Sequence, residues 1–171
     1  MRASIVFLCL GNICRSPLAA ALARGRFVHL GHIFSSLGLQ VTPGWRAAEF
    51  SIAYAAKMDC DLASHRARSV KPESLAEATW LIAMTRSQGA IARNRFGQSM
   101  PGRIGILGAP GFDLQEHQHS PAMEDVDDPY GWPEEKYFAC GDQIDRLLRG
   151  WTEVFTDLAE SSANDSGQET Q

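Results

Sequence analysis

The sequence predicts an α/β protein, a single domain with a four-stranded parallel sheet and helices on both faces. Three observations predict it. Four short apolar runs, near 3–8, 36–41, 78–84 and 103–107, alternate with helix-forming stretches near 17–30, 46–58, 86–96 and 134–158. That alternation is the pattern of βαβ units. The chain has 171 residues, 44% of them hydrophobic and 21% charged, a balance that suits one globular core. A short polar segment, Cys9–Ser16, joins the first run to the first helical stretch, at the carboxyl end of a strand, where open α/β sheets bind ligands.

The first run, Ser4-Ile5-Val6-Phe7-Leu8, is rich in β-branched and aromatic residues and reads as a buried strand. Leu18 to Arg24 is built from strong helix formers, with Ser16 suited to the N-cap and Pro17 to the first helical position. Later strands include Ser36-Leu37-Gly38-Leu39 and Thr79-Trp80-Leu81-Ile82-Ala83-Met84. Gly108 to Trp132 is loop-like and acidic, and its Glu116-His117-Gln118-His119 stretch reads as a solvated loop rather than a metal site. The domain is expected to span 1–160, with 161–171 a disordered polar tail.

The joining segment reads Cys9-Leu10-Gly11-Asn12-Ile13-Cys14-Arg15-Ser16-Pro17. A lone strand cysteine is most often a packing residue. The Cys-x5-Arg-Ser spacing between a strand and a helix points instead to phosphate chemistry. Loop N–H groups can turn inward around an anion, and the helix dipole adds positive potential. Gly11 is expected to supply a backbone conformation denied to most residues, and Asn12 tolerates a left-handed one. The same positive field favours the thiolate of Cys9. Arg15 offers a planar fork that matches the oxygens of a phosphoryl group.

This opening resembles the low-molecular-weight protein-tyrosine phosphatase family, whose pattern is a strand, Cys-x-Gly-Asn-x-Cys-Arg-Ser-Pro and a helix. The resemblance implies that Cys9 is a nucleophile forming a cysteinyl-phosphate and that Arg15 clamps the phosphoryl oxygens. It implies that Leu10, Gly11, Asn12, Ile13, Cys14 and Ser16 surround the phosphate, with Ser16 donating to the Cys9 sulfur. The family's second signature, Asp-Pro-Tyr, falls on Asp128-Pro129-Tyr130. It assigns Asp128 as general acid and then base, and Tyr130 as a pocket wall. Asp127 is the rival for the acid, because two neighbouring carboxylates repel and either could keep a proton. By the same resemblance Ser36 and His65 support the loop asparagine. The family's tryptophan position holds Thr42, so Trp45 is a candidate for the second wall. An equivalent of Cys14 can capture an oxidised nucleophile as a disulfide in the family.

The expected activity is therefore hydrolysis of phosphotyrosine in proteins, without cofactor or metal. Alternatives on the same scaffold are a protein-arginine phosphatase and an arsenate reductase. The arginine branch typically carries threonine where Ile13 stands, and Ile13 favours an aromatic substrate. The reductase needs a cysteine relay pair that Cys60 and Cys140, far apart in sequence, do not make convincingly. A net charge of −4 argues against nucleic-acid binding. No apolar stretch approaches a membrane span, and the first run is too short for a signal-peptide core. Together with a nucleophilic thiol, which needs a reducing compartment, this predicts a cytoplasmic protein.

Overall fold

Residues 4–9 are apolar in both directions, and in the computed structural model, which describes residues 2–117 and 122–165, they form the strand β1 (Ser4–Cys9). Ile5 and Phe7 enter one core while Val6 and Leu8 enter another. A strand covered by helices on both faces needs this continuous apolar character. The chain continues through α1 (Arg15–Arg26), β2 (Ile33–Gly38), α2 (Glu49–Lys57), β3 (Trp80–Ala83) and α3 (Arg86–Phe96). It ends with β4 (Arg103–Ile106), α4 (Glu134–Gly150) and α5 (Thr152–Asp165). The four strands are parallel, in the order β2-β1-β3-β4. The strand order reverses direction at β1, so the loops after β1 and β3 diverge and open a crevice at their carboxyl ends.

The larger core lies under α1, α2, α4 and α5. Trp80 of β3 meets Trp151 edge to face, with ring centroids 5.1 Å apart, and Trp151 stacks on Phe155. The smaller core lies under α3, where Ala92 and Phe96 pack on Leu81 and Ile104. Arg26 of α1 and Arg149 both hydrogen-bond Asp145 of α4. Burial pulls the Asp145 carboxyl upward, but the two arginines outweigh it and hold the group below its ordinary value.

Both sheet edges are engaged. On β4, Leu114 donates its N–H to Ile104 O (2.8 Å), and Asp113 Oδ1 accepts the Ile104 N–H (3.2 Å). At the end of β2, Gly38 donates to Arg68 O and accepts from the Val70 N–H, both at 2.9 Å.

Several expected boundaries move. β2 spans 33–38 rather than 36–41, because pairing with β1 sets its register from Ser4↔Ile33 to Cys9↔Gly38. The helix expected over 134–158 is two helices. The break at Trp151 lets its indole reach the core and donate to Leu107 O at 2.9 Å, while Gly150 passes close to Pro110. α5 runs through Asp165, so 161–165 are helical rather than a disordered tail. No breaker interrupts the helix there, and the Ser161 hydroxyl bonds back to Asp157 O. Residues 166–171 lie outside the described residues, as do Gln118 and His119 of the solvated-loop expectation; His117 stacks on Phe112.

Helix α4 crosses α2 closely at Gly141, where an added Cβ would fall 2.6 Å from the buried Tyr54 ring. Gly141→Ala gains at most about 1 kcal/mol of helix propensity against about 1–3 kcal/mol for overpacking. Urea unfolding should show a lower midpoint for the variant. An unchanged or higher midpoint would mean that the two helices separate without cost.

Candidate active site

β1 ends at Cys9 and α1 begins at Arg15, so five residues turn between a strand end and a helix start. Backbone bonds hold this loop to the segment after β2: Leu39 donates to Cys9 O (3.0 Å) and Gln40 to Leu10 O (2.9 Å). On the far side Ala48 donates to Ile13 O at 2.8 Å. Helix α1 starts at Arg15, with Cys14 at its N-cap, two residues earlier than Ser16 as N-cap would require, and no side chain caps it. The Ser16 hydroxyl is used elsewhere, because it lies 3.0 Å from Cys9 Sγ and donates to Leu37 O at 3.3 Å. An uncapped helix start facing a loop is suited to anion binding.

The unusual backbone belongs to Asn12 rather than to Gly11. Asn12 has φ 55°, whereas Gly11 is absent from the positive-φ glycines and has room for a Cβ. Asparagine accepts the left-handed region because its short amide can bond locally. Here the amide is wholly buried and fully used. Nδ2 donates to Ser16 Oγ (3.0 Å) and Ser36 Oγ (2.9 Å), and Oδ1 accepts the Arg68 N–H (2.9 Å). The Asn12 N–H donates to Cys9 Sγ at 3.3 Å. His65 Nε2 lies 2.8 Å from Asn12 O, and because a carbonyl only accepts, Nε2 carries the proton. Burial holds His65 below its ordinary value, with the Asn12 bond opposing, so the neutral ring persists at pH 7.

Arg15 is 5% exposed, and its guanidinium spans two partners, with Nη1 donating to Val126 O (3.3 Å) and Nη2 to Asp128 Oδ2 (2.6 Å). Asp128 Oδ1 accepts the Tyr130 N–H at 3.2 Å, and the carboxylate is half exposed. Asp128 lines the same cleft as Cys9 and Arg15, together with Leu10, Gly11, Ile13, Cys14 and Tyr130. Asp127 lies outside that cleft, with its N–H donating to Gln143 Oε1 at 3.0 Å. Trp45 also lies outside it, 52% exposed, in a segment zipped to Ala67. Gln40 lines the cleft instead, because the turn after β2 is pinned to Leu10.

Cys14 is buried, with its thiol 3.8 Å from the Tyr137 hydroxyl. Burial, reinforced by Cys9 and Asp128 and opposed by the Tyr137 bond, pushes it up to about 11, so it stays a thiol at neutral pH. Cys140 is pushed up to about 12, chiefly by burial. Among the described residues all four cysteines are free, and no group of three or more His, Cys, Asp or Glu is placed to hold a metal ion.

Sequence reasoning missed Gly38, Gln40 and Tyr137. Gly38 has no positive φ, but a Cβ there would come within 2.9 Å of Asn12 Cβ and 2.8 Å of Leu10 O. The need for glycine arises from the approach of two segments, which local sequence does not show. Tyr137 could have been found from the strong amphipathicity of the Glu134–Gly150 stretch, which turns it inward.

A strand-loop-helix unit that gathers a cysteine, an arginine and an aspartate into one cleft of a parallel sheet defines a cysteine-based phosphatase of the α/β class. Residues 4–163 match the sequence model described as low molecular weight phosphotyrosine protein phosphatase, and the chain belongs to that family. It is 30% identical to a protein-arginine-phosphatase of Geobacillus stearothermophilus, over 84% of this chain and 90% of that one. It is 26% identical to the low molecular weight protein-tyrosine-phosphatase Wzb of Salmonella typhimurium, over 88% and 92%. Among solved structures, a low molecular weight protein tyrosine phosphatase from T. tengcongensis aligns with a TM-score of 0.75 at 26% identity, over 89% of this chain and 99% of that one. The arginine phosphatase from Geobacillus stearothermophilus aligns with 0.72 at 27%, over 99% and 98%.

Asn12→Gly keeps the left-handed backbone but removes the three carboxamide bonds. At about 1 kcal/mol each, urea unfolding should show a loss of about 2–4 kcal/mol. Orthovanadate should bind about tenfold more weakly as preorganisation is lost. Undiminished vanadate affinity would show that the loop keeps its shape without this side chain.

Proposed function

We propose that this chain hydrolyses phosphotyrosine in proteins, with Cys9 as nucleophile, Arg15 as phosphoryl clamp and Asp128 as acid and base. The observation that carries the reading is a single cleft in which Cys9, Arg15 and Asp128 are walled by Leu10, Ile13 and Tyr130. Apolar and aromatic walls suit a phenyl ring, and the buried sulfur at its floor suits a long substrate side chain.

In the first step the Cys9 thiolate attacks phosphorus in line. An S–P bond forms as the P–O bond to the phenol breaks, and Asp128 gives its proton to the phenolic oxygen. Arg15 and the loop N–H groups hold the equatorial oxygens as their charge redistributes. In the second step water attacks phosphorus and gives a proton to Asp128. The S–P bond breaks, phosphate leaves, and the Ser16 hydroxyl, 3.0 Å away, turns its proton from Leu37 O to the departing sulfur. Every step uses protein groups alone, so the reading needs no metal or cofactor. A phosphoprotein substrate and a thiol nucleophile suit the reducing cytoplasm. Among the described residues no helix is long and apolar enough to cross a membrane.

The 30% identity to a protein-arginine-phosphatase favours a second reading, in which the substrate is phosphoarginine. Against it stands Ile13, which lines the cleft without a hydroxyl for a nitrogen-linked substrate. Arsenate reduction has less support. Cys140 is buried in α4, while Cys60 belongs to a different part of the surface beside Asp59 and Asp61.

Phosphotyrosine, phosphoserine and phosphoarginine peptides should separate these readings, with turnover expected on phosphotyrosine. Faster turnover of phosphoarginine would select the second reading. Cys9→Ser should reduce turnover to background while keeping oxyanion binding. Asp128→Asn should slow phenyl phosphate by ~10²–10⁴-fold and slow dinitrophenyl phosphate far less. If Asp127→Asn gives that pattern instead, the acid is Asp127 and not Asp128.

A further inference from the structure

Three groups of the 124–128 segment converge on one amide of α4. Gln143 Oε1 accepts the Asp127 N–H at 3.0 Å. Its Nε2 donates to Glu124 Oε1 (2.8 Å) and to Asp125 O (3.0 Å). Arg146 holds the same Glu124 oxygen, and together the two partners keep that carboxyl below its ordinary value. From the opposite side, Asp125 Oδ1 accepts the Arg86 N–H at the start of α3 (2.8 Å). Val126 donates to Met84 O (2.9 Å) and is itself buried. The segment is thus clamped between α3, the end of β3 and α4. Asp128 is the first residue beyond the clamp.

We propose that Gln143 is a positioning residue for the reaction: it fixes the backbone from Glu124 to Asp127 so that the Asp128 carboxyl is presented to the cleft that holds Cys9. The inference rests on the reading of Asp128 as the acid. The chemistry of the clamp explains why an amide stands here. The position must accept from a backbone N–H and donate to a carboxylate and a carbonyl at once. A glutamate lacks the donor and a lysine lacks the acceptor, whereas a glutamine has both. Its side-chain bonds all go to this one segment, so its effect is directed at the acid rather than spread through the core. The remaining contacts of Asp128 leave room for misplacement. Its carboxylate is half exposed, and although Arg15 also holds Val126 O, the Asp127 N–H between Val126 and Asp128 is held by Gln143. A displacement of about 1 Å of a catalytic group can cost ~10²-fold.

The test compares the full chain with Gln143→Met, which keeps the length of the side chain and none of its hydrogen bonds. Steady-state rates are measured on phenyl phosphate, a poor leaving group, and dinitrophenyl phosphate, a good one, with orthovanadate inhibition as the measure of the loop. We expect kcat on phenyl phosphate to fall about 10–100-fold, within the range for a mispositioned acid. On dinitrophenyl phosphate it should fall by less than about threefold, because a good leaving group needs little protonation. KM and the vanadate inhibition constant should stay near those of the parent. Asp128→Asn combined with Gln143→Met should be no slower than Asp128→Asn alone, since both remove the same function. Gln143→Glu, which keeps the acceptor and loses both donor bonds, should give the same pattern and stands in if the methionine variant does not fold. Equal losses on both esters, no loss on either, or a loss that adds to that of Asp128→Asn would overturn the inference. If Asp128→Asn depends on the leaving group and Gln143→Met does not, only the role of Gln143 falls. If Asp128→Asn shows no such dependence, the assignment of the acid itself falls.

Discussion

The side chain of Asn12 is fully buried in a chain turn that most residues cannot adopt, and it touches every part that must stay still. Its amide joins Ser16 at the start of α1, Ser36 in β2 and the backbone of Arg68, and its carbonyl is held by His65. A buried polar network of this kind is costly unless complete, and here each group has a partner. The shape of the phosphate loop is therefore set by residues outside the loop. Gly38 follows from the same constraint: β2 must come close enough for Ser36 to reach Asn12, and that approach leaves no space for a methyl group beside it.

The residues of the cleft come from distant parts of the chain. Arg15 and Asp128 are 113 positions apart in sequence and 2.6 Å apart in space. The parallel sheet makes this possible, because the loops after β1 and those near the end of β3 emerge on the same side. Val126 ties the acidic segment to Met84 just beyond β3 and also offers its carbonyl to Arg15. The guanidinium thus reads both the backbone and the carboxylate of the opposite loop. An arginine suits this duty because its planar fork can hold two partners without bending. A lysine would offer only a point charge.

The fold class and the turn from Cys9 to Ser16 were legible in the sequence for physical reasons. Buried strands such as Ile5-Val6-Phe7-Leu8 must be apolar on both faces, and such runs stand out. The loop residues Cys9, Asn12 and Ser16 contact one another at fixed local spacing, with Arg15 between them, so their pattern survives in one line of text. What was not legible depends on contacts across the chain. The start of β2 at Ile33 is set by pairing with Ser4. The corner at Trp151 exists because an indole must enter the core beside Trp80, and Gly150 just before it was a weak local cue to that break. The left-handed backbone that Asn12 was expected to tolerate is the one it adopts, whereas Gly11, expected to be special, has no positive φ. Gln40 replaced Trp45 in the cleft through two backbone bonds that no propensity reports.

The covered strand margins have a consequence for how a partner chain can be read. Leu114 and Asp113 occupy both backbone groups of Ile104 on the outside of β4, and Arg68 and Val70 occupy those of Gly38 at the end of β2, so an extended peptide finds the ladder already taken at those two residues. Recognition by β-augmentation, in which main-chain bonds supply affinity, would have to displace those bonds. A phosphorylated segment must instead be gripped by what projects around the crevice mouth, so discrimination among targets falls on side chains and on the reach of the modified residue itself.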